Sequence, residues 1–600
     1  MHPTPATSPP PSTRTLLLGI WSHLSLRRRI QLGIVLVVML ASGAAELVSL
    51  GAVLPFLAVL SDPQRLWQQP LVQQLASRVG FTSATQLVMP TTTMFASAAV
   101  MAALVRLANL WLNGRLAAEV GSDLSCEAYR RTLSQPYAVH VQRNSAAVIT
   151  GTTTQIALTV AALNSLLQLI TAVVVATGLL AGLLIIDTSV ALSAAALFGT
   201  AYGVLATTAR RQLRSNGLKI AEASRHQLKA LQEGLGAIRD VLLDGSQPTY
   251  LKIYQQADRP QRQLQAKNSF IGAFPRYALE AIGMVGIALL GGLLVSQRGS
   301  GPSVIPLLGA MALGAQRLLP ALQQIYSGWA ALKGYNAAME SVLAMLHQPL
   351  QLQVIGSKHL PLRQGIRFDR VYFSYGPNQP NVLKGLDLEV LRGERIGLIG
   401  STGSGKSTMV DLLMGLLVPS AGRILVDGAD LNDVDYPERV LSWRASIAHV
   451  PQSIYLADKS IAENIAFGVP REEIELARVK QAAALAQVAS FIESSPEGYE
   501  SFVGERGIRL SGGQRQRIGI ARALYKQARV LVFDEATSAL DNETEEALMT
   551  AIEAFSRDLT VILVAHRLTT VERCDRVIRM SQGRIVANGL PQQVLANSQH

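Results

Sequence analysis

"ERIGLIGSTGSGKST", Glu394–Thr408, reads as a buried strand, a glycine-rich loop and the first turn of a helix. Gly400 to Ser407 match the phosphate-binding loop pattern G-x-x-x-x-G-K-[ST] in full. The glycines let the backbone N–H groups along Gly400, Ser401, Thr402, Gly403, Ser404 and Gly405 approach a phosphate closely. The helix N-terminus adds positive potential at the same place. Lys406 is positioned for the β- and γ-phosphates and the Ser407 hydroxyl for Mg2+, while Thr408 completes the nucleotide-binding stretch. A chance Gly-rich turn does not call for Lys-Ser at this spacing after a buried strand.

Two further stretches belong to the same chemistry. "ARVLVFDEATSALD" (Ala528–Asp541) is an apolar strand ending in two acids. Asp534 sits where a carboxylate holds Mg2+, directly or through water, and Glu535 is placed to orient or deprotonate an attacking water. "RLSGGQRQRIGIARAL" (Arg509–Leu524) puts a glycine pair at the start of a helix with a basic first turn. That is a second anion-binding helix terminus in one domain, which a single phosphate-binding loop does not require.

Outward from these motifs the chain divides. Of 600 residues nearly half are apolar and only 16% are charged, against about a quarter in ordinary soluble domains. Before about residue 335 the apolar residues form long runs. After about residue 365 short β-rich runs alternate with helical stretches, the pattern of an α/β domain. Six segments approach the roughly 20 apolar residues that a spanning helix needs: Ile34–Leu60, Thr92–Leu112, Ile156–Ile186, Ser189–Thr208, Gly272–Leu294 and Ile305–Tyr326. Lys and Arg concentrate in the N-terminus and in Asn113–Gln155 and Ala209–Ile271, so these segments and the C-terminal half are expected on the cytoplasmic side. Both internal segments read as helical extensions of the spans, the first reversing near "SQPYAVHVQRN" (Ser134–Asn144). The formal charge of +12 resides largely beside apolar spans, which favours a membrane surface over nucleic acid as partner. Two cysteines far apart, Cys126 and Cys574, argue against a disulfide framework. The first dozen residues read as disordered, "TLLLGIW" (Thr15–Trp21) as a short interfacial helix, and "QQPLVQQLASRVG" (Gln68–Gly80) equally as a helix on the outer membrane surface or a loop helix packed on its own protein.

With the phosphate-binding loop, the paired acids Asp534 and Glu535 at a strand end and "LSGGQ" (Leu510–Gln514) in one domain, the chain resembles the ATP-binding cassette (ABC) exporters. The resemblance implies a half-transporter that works as a dimer, with each ATP between the phosphate-binding loop of one cassette and the signature residues Ser511, Gly512, Gly513 and Gln514 of the other. It implies adenine stacking by Tyr375 in "FSYG", Mg2+ sensing by Gln452 in "HVPQS", a D-loop role for Asp541 and a γ-phosphate switch role for His566 in "LVAHR". "VGERG" (Val503–Gly507) is similar to the exporter loop that contacts cytoplasmic helix ends. The expected fold is a polytopic α-helical membrane domain, six spans with long cytoplasmic helix extensions, followed by an α/β ATP-binding cassette. Its expected boundaries are an N-terminal segment 1–30, a membrane domain 31–349, a linker 350–365 and a cassette 366–600. Since Gln452, Glu535 and His566 are all present, both sites of a homodimer are expected to hydrolyse ATP.

Five charges lie within or near the spans: Glu46, Arg106, Arg276, Glu280 and Arg317. Each costs about 2.5–3.5 kcal/mol near the bilayer centre on an insertion scale, so these residues are expected to face a cavity or each other. Arg276 and Glu280, four apart on one helix face, have the spacing of an ion pair, and Glu46 has Arg106 as an available partner. The alternative is a cavity whose excess arginines grip an anionic head group. "ELVSLGAVLPFLAVLSDPQ" (Glu46–Gln64), "FPRYALEAIG" (Phe274–Gly283) and "QRLLPALQQI" (Gln316–Ile325) resemble spans of bacterial lipid-linked oligosaccharide flippases. That resemblance implies transfer of a polyprenyl-pyrophosphate glycan to the outer leaflet of the bacterial cytoplasmic membrane. Export of another amphipath (a lipid-A-like lipid, a drug or a peptide) is the nearest alternative, and an ATP-gated channel or regulatory membrane protein the alternative from a different class.

Overall fold

The computed structural model describes residues 11–61, 64, 67, 83–186, 188–298, 304–350, 359–535, 545–547, 550, 559–565 and 571–596. Within some helices it describes only the backbone path, and Glu46 and Arg317 are two such positions. The expected outer-surface helix Gln68–Gly80 lies outside the described residues. The chain forms two compact units: residues 1–135 with 143–350, and residues 136–142 with 351–600.

The first unit is helical. Its main helices are α1 (Thr13–His23), α2 (Leu26–Ser61), α3 (Val88–Leu133), α4 (Ile156–Ile186), α5 (Thr188–Gly236), α6 (Gln247–Arg298), α7 (Val304–Gly334) and α8 (Asn336–Leu346). Among the described residues three helical stretches are both long and apolar enough to cross a bilayer: Leu26–Ala45, Val88–Leu133 and Ser145–Ala181. Helix α3 runs for 46 residues, α5 for 49 and α6 for 52, well beyond a bilayer's needs at 1.5 Å per residue. Pro260 and Pro275 each remove one backbone donor inside α6, and Pro320 does so in α7.

Small residues let these helices approach closely. A Cβ on Gly217 of α5 would stand 2.5 Å from the carbonyl oxygen of Gly334 at the end of α7. Arg28, only 8% exposed, joins α2 to α3 by ion pairs to Glu119 at 2.5 Å and Asp123 at 2.7 Å. The N-terminal segment expected at the membrane interface is indeed helical. Its N-cap Ser12 accepts from the Thr15 N–H, and Leu16 and Ile20, four apart, are buried against α8 and the core around it. Leu18 and Trp21 remain exposed.

The second unit holds two sheets. Strands β1 (Gly365–Phe373), β2 (Leu383–Leu391), β4 (Ala421–Val426) and β5 (Ala429–Asp430) form an antiparallel sheet in the order β2-β1-β4-β5. Strands β3 (Arg395–Gly400), β6 (Ile447–Val450), β7 (Val530–Asp534), β8 (Thr560–Val564), β9 (Arg576–Ser581) and β10 (Arg584–Gly589) form the other, in the order β10-β9-β3-β8-β7-β6. Five neighbours in it, β9, β3, β8, β7 and β6, are parallel, and β10 is an antiparallel edge. Alternate side chains enter different cores. Val530 and Val532 pack with the antiparallel sheet and helix α9 (Lys406–Leu413), whereas Leu531 and Phe533 pack with helix α10 (Gly512–Tyr525). A strand buried on both faces must be apolar throughout, which is why "VLVF" carries no alternation.

Candidate functional site

Because β3, β8, β7 and β6 are parallel, their carboxyl ends open on one edge of the sheet. The register aligns Leu398 of β3 and Asp534 of β7 with the same residue of β8, Val564. The phosphate-binding loop therefore leaves β3 two strands from the acids that end β7, a separation of about 10 Å at ordinary strand spacing.

The loop is shaped by its glycines. Gly403 (φ +79°) and Gly405 (φ +101°) take left-handed conformations, and a Cβ on Gly405 would stand 2.8 Å from Leu383 Cδ2. Lys406 folds back into the loop it follows, donating to the carbonyl oxygens of Gly400 (2.7 Å) and Ser401 (3.1 Å). Burial lowers its pKa, while the nearby charges of Glu535 and Asp534 act in the opposite direction. The Ser404 hydroxyl is buried with no hydrogen-bond partner. A cation held on its own loop carbonyls, beside an orphaned hydroxyl and two carboxylates, fits a phosphate chain with its metal.

Glu535 adopts φ +51°, a region costly for a non-glycine residue. Its N–H donates to Val564 O at 2.9 Å, so the strain is held by the neighbouring strand. Its carboxylate accepts from Gln452 Nε2 at 2.7 Å. Two residues 83 apart, singled out separately in the sequence, thus meet at the sheet edge. Tyr375 stands T-shaped to Phe373 at 5.0 Å, and its hydroxyl shares a hydrogen bond with Thr408 Oγ1 at 3.1 Å. Asp541 and His566 lie outside the described residues.

The "LSGGQ" turn is a reciprocal capping box. Ser511 Oγ accepts from the Gln514 N–H (3.2 Å) and Gln514 Oε1 accepts from the Ser511 N–H (2.8 Å). The box leaves the N–H groups of Gly512 and Gly513, in the first turn of α10, without an intrahelical acceptor. The basic residues after the motif turn to the preceding loops: Arg515 Nη1 donates to the carbonyls of Gly507 (3.3 Å) and Leu510 (3.1 Å), and Arg517 Nη1 to that of Gln487 (2.9 Å). They brace the preceding loop, because orphan backbone carbonyls there need donors.

Sequence reasoning missed two features of this unit. Asp411, on the helix that follows the loop, has its carboxyl pushed up to about 6 by burial and by the charge of Asp534. The short helix Tyr137–Gln142 belongs to this unit and not to the helical one: Ala138 packs on its core, and Gln142 Nε2 donates to Tyr375 O at 3.2 Å. The break at Pro136, inside the stretch read as a reversal, was the available signal.

The charged residues of the helical unit separate. Arg106 lines a cavity of about 400 Å3 between α2, α3, α4 and α7. Arg276 and Glu280 are both exposed on α6, and among the described residues no ion pair joins them, so the i,i+4 pairing read from spacing is not formed. Two exposed side chains gain little from pairing and lose rotamer freedom by it. The side chains of Glu46 and Arg317 lie outside the described residues.

Comparison with known proteins adds the following. A family profile described as ABC transporter matches residues 383–538. The ATP-dependent lipid A-core flippase of Chromohalobacter salexigens is 45% identical over 267 residues, 44% of each chain, so the match spans less than half of that relative's length. The protein of the same name from Thiobacillus denitrificans is 30% identical over 487 residues, 81% of this chain and 82% of its own. Among solved structures, a bacterial Atm1-family ABC exporter with ATP bound superimposes with a TM-score of 0.76 at 25% identity, covering 95% of this chain and 96% of its own.

Proposed function

The chain belongs to the ABC transporter family, as an exporter-type half-transporter, and from that premise we propose that it moves a lipid-linked saccharide or related glycolipid from the cytoplasmic to the outer leaflet of a bacterial cytoplasmic membrane. In this reading two copies of the chain form a homodimer, each contributing six spans. The N-terminus and both cassettes face the cytoplasm, and hydrolysis of ATP at two shared sites drives the transfer.

The observation that carries the ATPase half is the meeting of Gln452 and Glu535 at 2.7 Å on the sheet edge where the phosphate-binding loop also ends. Lys406 leaves its loop carbonyls to hold the β- and γ-phosphates, and the N–H groups of the loop and of the α9 terminus hold the remaining oxygens. Ser407, Asp534 and Gln452 are the residues that would hold Mg2+, which supplies neutralisation of the phosphate oxygens when bound. Glu535 orients the attacking water and takes its proton, with Gln452 fixing the carboxylate, and His566 contacts the γ-phosphate. Tyr375 stacks on adenine. Gly512 and Gly513 of the second copy offer their free N–H groups to the γ-phosphate, and Asp541 acts at the same junction. Bound ATP draws the cassettes together, and loss of the γ-phosphate contacts releases them.

The substrate half is supported by two things: relatives whose printed name is lipid A-core flippase, and an arginine inside the helical cavity. Export of a different amphipath is the second reading, favoured by how much of the cavity is uncharged. The deciding experiment is ATP-driven flipping in proteoliposomes of a labelled polyprenyl-pyrophosphate saccharide and of a lipid-A-type glycolipid, with Glu535→Gln as control. Transfer of either by wild type alone supports this reading and picks the lipid. ATP hydrolysis without transfer of either overturns it in favour of another cargo.

A further inference from the structure

Helix α1 lies tightly on α8: a Cβ on Gly19 would stand 2.6 Å from Leu343 Cδ2. Leu16 and Ile20 of α1 share one buried core with Met339, Val342 and Leu346 of α8. One turn past the Gly19–Leu343 contact, each helix presents a histidine. His23, four residues after Gly19, ends α1, and His347, four after Leu343, is the C-cap of α8. Their rings meet with centroids 5.2 Å apart and planes inclined at 55°.

An ordinary aromatic pair accounts for that distance but not for the ring nitrogens. Among the described residues neither imidazole makes a hydrogen bond. His347 is exposed and His23 half-buried, so the pair is open to solutes. Neutral imidazole is a common ligand of transition metals. Two imidazoles on one tetrahedral ion, each nitrogen about 2 Å from the metal, hold their ring centres roughly 5 Å apart. The observed separation is already that of two ligands sharing an ion.

The surroundings favour a cation. Two helix C-termini converge here, each with partial negative potential. They already gather positive groups: Arg29 donates to the carbonyls of Ser22 (2.8 Å) and Leu24 (3.0 Å), and Arg131 to that of Gln348 (2.9 Å). Arg131 is also paired with Glu127 at 2.5 Å, which reduces its repulsion of a further cation. Burial, then the neighbouring His347 and Arg131, hold the His23 imidazole below its ordinary value against the pull of Glu127. Among the described residues no third histidine, cysteine or carboxylate completes a metal-binding group. The site is therefore open, with two protein ligands and water in the remaining positions. Nitrogen ligands select zinc-type ions over Mg2+ and Ca2+, which take oxygen. We propose that His23 and His347 together bind a zinc-type divalent transition ion, which staples the N-terminal helix to α8.

The test uses the full chain without a polyhistidine tag, in nucleotide-free nanodiscs, titrated with Co2+ and then with Zn2+. Tetrahedral Co2+ on imidazole absorbs visible light more strongly than aqueous octahedral Co2+. Zn2+ should displace that band at one ion per chain and raise the thermal midpoint, and Mg2+ should leave the band unchanged. His23→Gln and His347→Gln should each weaken Zn2+ at least about tenfold, since even the outer partners of metal ligands are worth that much. His347→Cys supplies a thiolate in place of the imidazole and should retain Zn2+. His226→Gln, on α5, serves as the unchanged control. Equal Zn2+ affinity in wild type and both glutamine variants would overturn the assignment, as would no Zn2+ binding by wild type. Where a glutamine variant lowers the metal-free thermal midpoint, His347→Cys decides: Zn2+ retained supports direct ligation, and Zn2+ lost overturns it.

Discussion

The cassette and the helical unit place their polar chemistry by opposite means. In the cassette the candidate residues lie at or just past the ends of parallel strands: Gly400 closes β3, Gln452 follows β6, Glu535 follows β7. Strand register brings them to one edge whatever the loops between them do. In the helical unit Arg106, Gln168 and Gln324 sit mid-helix, and only packing of α3, α4 and α7 brings them to one cavity. The first kind of site is written as contiguous motifs. The second is written as isolated polar residues in apolar runs, each uninformative alone.

The sharpest way to break this comparison is at Lys406. If the sheet edge is the ATP site, Lys406→Ala should reduce ATP hydrolysis at least a thousandfold while the thermal midpoint changes little, since the lysine's hydrogen bonds go to loop carbonyls. Turnover within tenfold of wild type would remove the cassette's half of the contrast. Cysteine reactivity probes interior against surface. Cys574 is buried in the cassette and its thiol is pushed up to about 12, chiefly by burial, whereas Cys126 on α3 is exposed. At pH 8 a maleimide should label Cys126 and leave Cys574 slower by about three orders of magnitude, because little thiolate is present. Equal labelling of both, read by mass spectrometry, would contradict the packed core.

Gly217→Val tests whether helix packing assembles the helical unit. The new side chain would begin 2.5 Å from Gly334 O, so overpacking should cost about 1–3 kcal/mol. Differential scanning calorimetry should show a lower midpoint with cassette nucleotide affinity retained, and loss of nucleotide binding would show that the two units do not behave separately. The smallest effect concerns His449 on β6, whose Nε2 is buried without a partner and whose pKa burial lowers from 6.5. The folded state then binds fewer protons than the unfolded chain. The stability this histidine permits is complete above pH 6.5 and is lost as pH falls through 6.5 toward its lowered folded value. His449→Leu should therefore raise the thermal midpoint at pH 5.5 relative to wild type, with a smaller difference at pH 7.5. An equal shift at both pH values would mean that packing, not protonation, is responsible.

Much of the cassette site could be read in the residues themselves. The spacing of Lys406 and Ser407 after Gly400 and the acids at the end of an apolar strand are local features with one structural solution. What could not be read is equally physical. The Tyr375 hydroxyl bonding to Thr408 joins residues 33 apart, and the arginines after the signature turn satisfy loop carbonyls that no motif describes. The i,i+4 spacing of Arg276 and Glu280 licensed a pair, but exposure on α6 gives that pair little reason to form. The helix Tyr137–Gln142 reads as a turn between long helices, and only its packing places it in the second unit.

By itself, the sequence determined the class of the protein: apolar runs of spanning length, then an α/β domain with a phosphate-binding loop, paired acids and a capped glycine helix start. These features rest on interactions between near neighbours in the chain, where periodicity and spacing carry the information. The tertiary structure decided which distant side chains meet. It brought Gln452 to Glu535, buried the Nε2 of His449 without a hydrogen-bond partner, and aligned single turns of four helices around Arg106. Those outcomes depend on helix packing and strand register over separations of tens to hundreds of residues, which no local pattern encodes.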